Sequence, residues 1–171
     1  GYLGYWDTLL ESVPGLWIDN CASGGGRLDL ESMRRSVPLH RTDSASQEYT
    51  NTQAMSQALF KWIPYSGGPT NDAAATPITK YGIRSCFAQS MTLNFDPGNQ
   101  NLNWQLLQGL VEEWNIIKDF YYADYYELLP VTRDDADFTA WEFFDPAKNA
   151  GFMQVFRHKG SDKSVTLKVK G

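Results

Sequence analysis

The chain has 171 residues, with 15 Lys and Arg against 20 Asp and Glu, and a net charge of −5. This length allows one ordinary domain with a hydrophobic core, and the acidic excess argues against a nucleic-acid binder, which usually presents a basic face. No run of about 18 apolar residues occurs, so no membrane span is predicted. Cys21 and Cys86 are too few for a disulfide framework, and we expect free thiols. Because the chain begins with Gly1 and ends directly after a strand-like pattern, we expect it to be part of a longer protein.

The first two thirds of the chain alternate strand-like apolar runs with helical patterns. In chain order, the predicted elements are a helix over 2–10, a strand over 16–18, a short helix over 29–36, a strand over 37–41, a helix over 46–60, a loop over 66–77, a strand-like run within 83–93 and a helix over 102–118. The helix over 102–118 has the clearest apolar face. Alternation of this kind is typical of an α/β fold.

The pattern changes after residue 132, where a period of two replaces the helical period. The alternation is clearest where Val165, Leu167 and Val169 are separated by polar residues. Strands are predicted over 138–144, 151–158 and 164–170, and the aromatic segment 120–129 is expected to form a wedge between two layers. The sequence therefore predicts an α/β unit over 1–132 and the first strands of an antiparallel β-domain over 133–171.

Two groups of polar residues follow the first two predicted strands. In the segment 21–27, CASGGGR, glycines allow close approach of the backbone to a ligand, and Arg27 offers a planar fork of donors. The alternative is a tight turn in which Arg27 pairs with Asp29 or Glu31. Asp43 follows the second predicted strand, where it is either a functional carboxylate or an N-cap for the helix that opens near Ser46.

Residues 16–43 resemble the melibiase-type α-galactosidases of glycoside hydrolase family 36, and one bacterial branch in particular. The family motif Cys-x-x-Gly-x-x-Arg matches Cys21, Gly24 and Arg27, and a Ser/Thr-Asp pair at the end of the next strand matches Thr42-Asp43. The resemblance implies that Asp43 is the catalytic acid/base and that Cys21, Gly24 and Arg27 bind the sugar. It implies an α-galactoside oligosaccharide as substrate, with no metal and no organic cofactor.

The nucleophile of the family has no match in this chain. The family places it in a Lys-Trp-Asp type motif on an earlier strand, whereas Lys61-Trp62 lacks the Asp and Trp6-Asp7 lacks the Lys. By analogy we expect the second half of a (β/α)8 barrel, with strands near Leu16, Val37, Trp62 and Ile83, and a nucleophile upstream of Gly1. The chain alone would then be inactive.

Half a barrel also leaves raw sheet edges, which recruit partners. We therefore expect a homo-oligomer, or pairing with the rest of the barrel.

Other interpretations of the sequence stay open. The rival function is a non-catalytic carbohydrate-binding module, and a third is an unrelated interaction domain; neither explains a carboxyl group beside the glycine motif. Trp62, Tyr65 and Phe87 could line a sugar pocket or belong to the core.

Metal sites are not favoured by the sequence. His40 and His158 lack the spacing of zinc ligands. Asp96, Asp134, Asp135 and Asp137 lack a calcium-binding loop and are expected to mark solvated turns.

Overall fold

The computed structural model describes residues 1–43, 49–71 and 78–171. In chain order, the elements are α1 (Tyr2–Ser12), α2 (Leu30–Met33), α3 (Tyr49–Leu59), β1 (Gly67–Asn71), α4 (Lys80–Ser85), β2 (Ser90–Asn94), α5 (Trp104–Ile117), a 3-10 helix (Lys118–Tyr122), β3 (Asp124–Glu127), β4 (Phe138–Asp145) and β5 (Ala150–Arg157). The fold is thus a mixture of helices and sheets, as the alternation in the sequence predicts.

The predicted helices are present, with different lengths. Helix α2 is shorter than the predicted 29–36, and Asp29 caps its start by accepting a hydrogen bond from the backbone N–H of Ser32. Helix α3 agrees with the prediction from Tyr49 onward; the predicted residues 46–48 lie outside the described part of the chain. In α5, the apolar face buries Leu107 and Leu110.

Parallel backbone pairing joins the extended segments of the first part. Asp19 forms a parallel bridge with Val37, and β1 pairs with β2 in parallel, with Gly67 opposite Ser90. The two pairs are connected by a hydrogen bond of 2.9 Å from the Gly67 N–H to the Pro38 carbonyl. The predicted strands over 16–18 and 37–41 are therefore reduced to a single bridge, and Trp17, in the middle of the first of them, is 68% exposed.

The predictions of barrel strands near Trp62 and Ile83 are wrong. Trp62 lies in the turn after α3, and Ile83 lies within α4; the strands are β1 and β2. Strand β1 also replaces the first part of the predicted loop 66–77, whose residues 72–77 lie outside the described part. Glycines are typical of loops, so the sequence does not indicate this strand. Here they are needed for close backbone contact, because a Cβ on Gly68 would overlap the Cys86 carbonyl.

The second part is an antiparallel sheet in the order β3–β4–β5. Strands β4 and β5 agree with the predicted strands, and Trp141 pairs with Gln154 between them. Strand β3, from the aromatic segment 120–129, pairs with β4 on its other edge. The sheet thus begins before residue 132, while a domain boundary near that residue stays a prediction.

The third predicted strand, 164–170, is absent from the sheet. Its end instead lies against β4, where the backbone N–H groups of Lys170 and Gly171 donate to the Glu142 carboxylate. Both edges of the central strand β4 are already paired, with β3 and with β5, so this segment contacts β4 through the Glu142 side chain and not through strand pairing.

One aromatic core spans both parts of the chain. Phe60 from the end of α3 contacts the rings of Tyr121, Trp141 and Phe143 at centroid distances of 5.2–5.6 Å. Ile83 and Phe87 belong to the same buried cluster. The apolar side of the three-stranded sheet therefore covers the helices of the first part.

Within the described parts of the chain, no helix combines the length and the apolar character needed to cross a membrane.

Candidate functional site

The glycine motif and Asp43 are in direct backbone contact. A Cβ built on Gly24 would lie 2.7 Å from the backbone N of Asp43 and 2.7 Å from the Thr42 Cα. Only a residue without a side chain allows this approach, and Gly24 is buried beneath the contact. The structure therefore brings together two segments that lie about twenty residues apart in the sequence and that the resemblance assigns to one site.

The loop itself is a tight turn with left-handed backbone. Ser23 has φ 47° and Gly24 has φ 70°, and the Gly26 N–H donates to the Ala22 carbonyl at 2.9 Å. A non-glycine residue in this conformation is uncommon, and such residues concentrate at functional sites. The tight turn considered as an alternative is thus present, and it is also what presents Gly24 to Asp43.

Arg27 folds back over its own loop. Its Nη1 donates to the Cys21 carbonyl at 2.9 Å, and its guanidinium lies 5.2 Å from the ring centroid of Tyr2 in α1. The ion pair with Asp29 or Glu31, predicted as the alternative, does not form: Asp29 caps α2, and Glu31 pairs with Arg34 and Arg35. Arg27 is half-buried and close to Cys21, whose thiol is free and exposed.

Asp43 lies at the surface beside a histidine that sequence reasoning did not assign to the site. Its side chain is 63% exposed, and its Oδ1 is 3.2 Å from Nε2 of His40. An accessible carboxyl group can reach a ligand, and the imidazole can donate a hydrogen bond to it. The position of His40, three residues before Asp43, was the only sequence signal for this contact. The N-cap alternative for Asp43 concerns residues 44–48, which lie outside the described part.

Asn20 is a second residue that sequence reasoning did not assign. It is 2% exposed, and its side-chain N–H donates to the Arg27 carbonyl at 2.7 Å. Its Oδ1 is buried without a hydrogen-bond partner among the described residues, which is costly for a polar atom. Asn20 therefore holds the end of the loop through the Arg27 carbonyl. Its position directly before Cys21 is the sequence signal that could have identified it.

Arg41 anchors the segment that carries Asp43. It is fully buried, with Nη1 donating to Ser66 Oγ at 2.9 Å and Nη2 donating to Ser56 Oγ. Burial lowers the pKa of Arg41 to about 10. These hydrogen bonds connect residue 41 to α3 and to Ser66, which directly precedes β1, so the backbone before Asp43 is held from two sides.

The remaining sequence candidates lie elsewhere. Phe87 is 1% exposed and belongs to the core, which confirms the second of the two interpretations left open for it. Trp62 and Tyr65 line a cavity of about 220 Å³ that does not include Asp43.

The aspartates considered as calcium ligands accept hydrogen bonds within turns and loops. Asp96 and Asp134 accept hydrogen bonds from backbone N–H groups two residues on, and Asp137 accepts one from Thr132. Across residues 1–43, 49–71 and 78–171, no three His, Cys, Asp or Glu side chains are grouped to hold a metal.

Comparison with known proteins gives a likeness of fold. No protein-family model matches the chain, and no curated protein matches it. Among solved structures, the galactosidase domain of alpha-galactosidase-sucrose kinase, AgaSK, aligns with a TM-score of 0.73 over 98% of this chain, at 15% sequence identity. The chain spans 24% of the length of that solved chain. This likeness confirms, at the level of the fold, the resemblance to α-galactosidases predicted from residues 16–43.

Proposed function

We propose that this chain supplies the acid/base side of the active site of a retaining glycoside hydrolase that cleaves terminal α-galactosides. The observation that carries the proposal is the contact of Gly24 with the Thr42–Asp43 backbone. This contact joins the glycine motif, to which the proposal assigns sugar binding, to a segment that ends in an exposed carboxyl group. The fold likeness to an α-galactosidase domain supports a glycoside-hydrolase-related origin.

In this proposal Asp43 acts twice. Retaining hydrolysis uses two carboxyl groups about 5 Å apart, one as nucleophile and one as acid/base. Asp43 protonates the leaving-group oxygen while the nucleophile forms a glycosyl–enzyme bond. It then removes a proton from the attacking water, and the product is released with its anomeric configuration retained. His40, whose Nε2 lies 3.2 Å from Asp43 Oδ1, is assigned the role of holding the carboxyl group in position.

The sugar-binding roles fall on Cys21, Gly24 and Arg27. The exposed Cys21 and the backbone at Gly24 would lie against the galactose hydroxyls, while the Arg27 fork donates to sugar oxygens. Arg27 already has a hydrogen bond to the Cys21 carbonyl. One hydrogen bond therefore holds two of the three residues in a fixed relation before the substrate arrives.

The proposal includes half of a (β/α)8 barrel over residues 1–132. Hydrogen bonds connect the segment 18–20 to 37–39, then to β1 and then to β2, in the order of the chain. Helices α2, α3 and α4 separate these segments in sequence. This order supports a barrel half completed by other parts of a longer protein, which would also contribute the nucleophile. The β3–β4–β5 sheet then opens a C-terminal β-domain.

Turnover of an aryl α-galactoside tests the proposal. The chain alone should be inactive, because one carboxyl group cannot perform both roles. A protein extended upstream by about 300 residues, the scale of a barrel with insertions, should be active, and Asp43→Asn should reduce its activity by 10² to 10⁴-fold. Glu11→Gln, an exposed carboxyl change in α1, is the matched control. Activity of the short chain that disappears with Asp43→Asn would contradict the two-part site.

A carbohydrate-binding module is the second candidate, favoured by exposed aromatic rings. Trp17 and Trp62 are 68% and 48% exposed, and Trp62 and Tyr65 line the cavity of about 220 Å³. Aromatic faces of this kind can bind pyranose rings. An extended, folded protein that binds galactosides without turnover, and loses binding with Trp62→Ala but not with Asp43→Asn, would favour the module.

The incomplete sheet also predicts association. Among the described strands, β2 pairs only with β1, so its other edge is open. We propose that the chain forms homo-oligomers or binds the rest of the barrel. Light scattering at micromolar concentration should show a species larger than a monomer; a monodisperse monomer would overturn this part.

A further inference from the structure

A polar cleft of about 600 Å³ lies apart from the four predicted site residues. It is formed by the start of α3, by Tyr81 of α4, by the loop at 133–135 and by residues 157–159 at the end of β5. Its volume is in the range of small-molecule sites. None of Cys21, Gly24, Arg27 and Asp43 contributes to its lining.

The cleft has an excess of positive charge in an acidic chain. Arg133, Arg157 and Lys159 line it, against Asp135 as the one acidic lining residue. Asp135 is engaged locally, since its Oδ1 accepts a hydrogen bond of 2.8 Å from Thr50. None of these three cations forms an ion pair with another residue in the part of the chain that the structure describes. Among the described lining residues, three cations against one carboxylate therefore leave two positive charges uncompensated.

The floor of the cleft is rigid. His158 is 4% exposed; its Nε2 is 2.8 Å from Gln53 Oε1 and its Nδ1 is 3.1 Å from the Asp134 carbonyl. Arg157 and Lys159 are its neighbours in the chain, and Arg157 Nε donates to the Asp162 carbonyl at 3.1 Å. A fixed backbone beneath the cations lowers the entropy lost when a ligand binds.

These observations select a class of ligand. A phosphate monoester has a charge of about −1.5 to −2 at neutral pH, which complements the two uncompensated positive charges. Arginine binds phosphate oxygens in bidentate geometry, and lysine adds a point charge. The cleft is larger than a bare phosphate ion needs, and Tyr81 and Asn51 give it polar walls. We propose that this cleft binds the phosphoryl group of a small hydroxylated phosphate ester.

Isothermal titration calorimetry on the 171-residue chain at low salt tests this site. Glucose 6-phosphate should bind, inorganic phosphate should bind more weakly, and glucose should not bind. The affinity for glucose 6-phosphate should fall about ten-fold in Arg133→Gln and in Lys159→Gln, because each variant loses one charged hydrogen bond to the phosphate. Lys168→Gln removes the same charge from an exposed position that does not line the cleft, and it should leave the affinity unchanged.

Several results would overturn the site. They are the absence of binding of both phosphates, equal binding of glucose and its phosphate, or a loss in Lys168→Gln as large as in Lys159→Gln. Thermal unfolding of each variant shows whether it is folded. Asp43→Asn should bind glucose 6-phosphate like the unchanged chain, so this site and the proposed hydrolase site can fail separately.

Discussion

The aromatic core and the glycine loop are held together by different forces. In the core, Trp141 and Phe143 are almost fully buried among other rings, so stability comes from apolar area removed from water. In the loop, Gly24 is fixed by close backbone contact and local hydrogen bonds, while Cys21 and Asp43 remain exposed. Regions that bind ligands are often taken from the less stable parts of a fold. The contrast therefore predicts that core changes unfold the molecule, whereas loop changes mainly alter the site.

The largest effect is expected for Trp141→Ala. Trp141 is completely buried, and its Nε1 donates to Gln154 Oε1 at 3.0 Å. Its removal leaves a cavity and a weakened polar pair, so we expect a loss of about 3–5 kcal/mol in the free energy of unfolding. Trp17→Ala is the matched control, since Trp17 is exposed and contacts Tyr65 by its ring edge; it should cost less than about 1.5 kcal/mol. Urea denaturation measures both, and equal losses would remove the distinction between the regions.

Gly24→Ala should have an intermediate effect. The added Cβ meets the Thr42–Asp43 backbone at 2.7 Å, and φ is 70°. We expect a cost of about 1–3 kcal/mol and movement of the segment before Asp43, detected as a change in the Asp43 amide resonance. The matched control is Gly109→Ala in α5, where a Cβ meets nothing within 4 Å; it should raise stability by up to about 1 kcal/mol. An unchanged Asp43 amide in Gly24→Ala would contradict the backbone contact.

The smallest effect is expected from the ion pair that holds α1. Helix α1 has no buried residue, and Asp7 contacts Arg35 through both carboxylate oxygens at 2.6 and 3.1 Å. The hydrogen bond from Arg35 holds the pKa of Asp7 below its ordinary value. Because the pKa of this carboxyl group is lower in the folded chain, the ion pair stabilises the docked helix at any pH above the unfolded-state pKa, near 4. This stabilisation is lost as the pH falls through the lower pKa of the folded state.

Hydrogen exchange of the α1 amides between pH 6 and 2.5 measures this loss. Protection should fall with decreasing pH in the unchanged chain, and Asp7→Asn should remove most of that pH dependence. Glu11→Gln changes a carboxyl group in the same helix that makes no ion pair among the described residues, and it should leave the profile as it is. A pH dependence that survives Asp7→Asn would assign the effect to other carboxyl groups.

Local patterns were sufficient for some elements and misleading for others. Helix α5 and strand β5 were predictable because their residues repeat with the helical or the strand period, and β4 because it is an apolar, aromatic run between turn residues. Strand β1 was hidden, since its Gly67-Gly68 pair is typical of a loop and becomes a strand through contact with Leu39 and Cys86. The segment 164–170 shows the opposite case: its apolar and polar residues alternate as in a strand, but it pairs with no other strand.

The candidate site shows the same division between motif and contact. Cys21, Gly24, Arg27 and Asp43 were selected from the sequence because they match the motifs of the resembling family, whereas the glycines and the acidic residue alone left a tight turn and an N-cap open. The resemblance assigns these residues to one site, but the sequence did not predict the backbone contact of Gly24 with Asp43, the hydrogen bond from His40 or the buried hydrogen bond of Asn20. These contacts depend on how the extended segments pair, which involves residues far apart along the chain.

The sequence by itself determined the class of the fold and the position of the longest helix, because these follow from local composition and period. It also contained the residues that match the motifs of the resembling family. Only the tertiary structure decided that Gly24 lies on the Asp43 backbone and that one aromatic core joins both parts of the chain. It also decided that three cations share a cleft. Burial and backbone contact act between distant residues, so no local pattern records them.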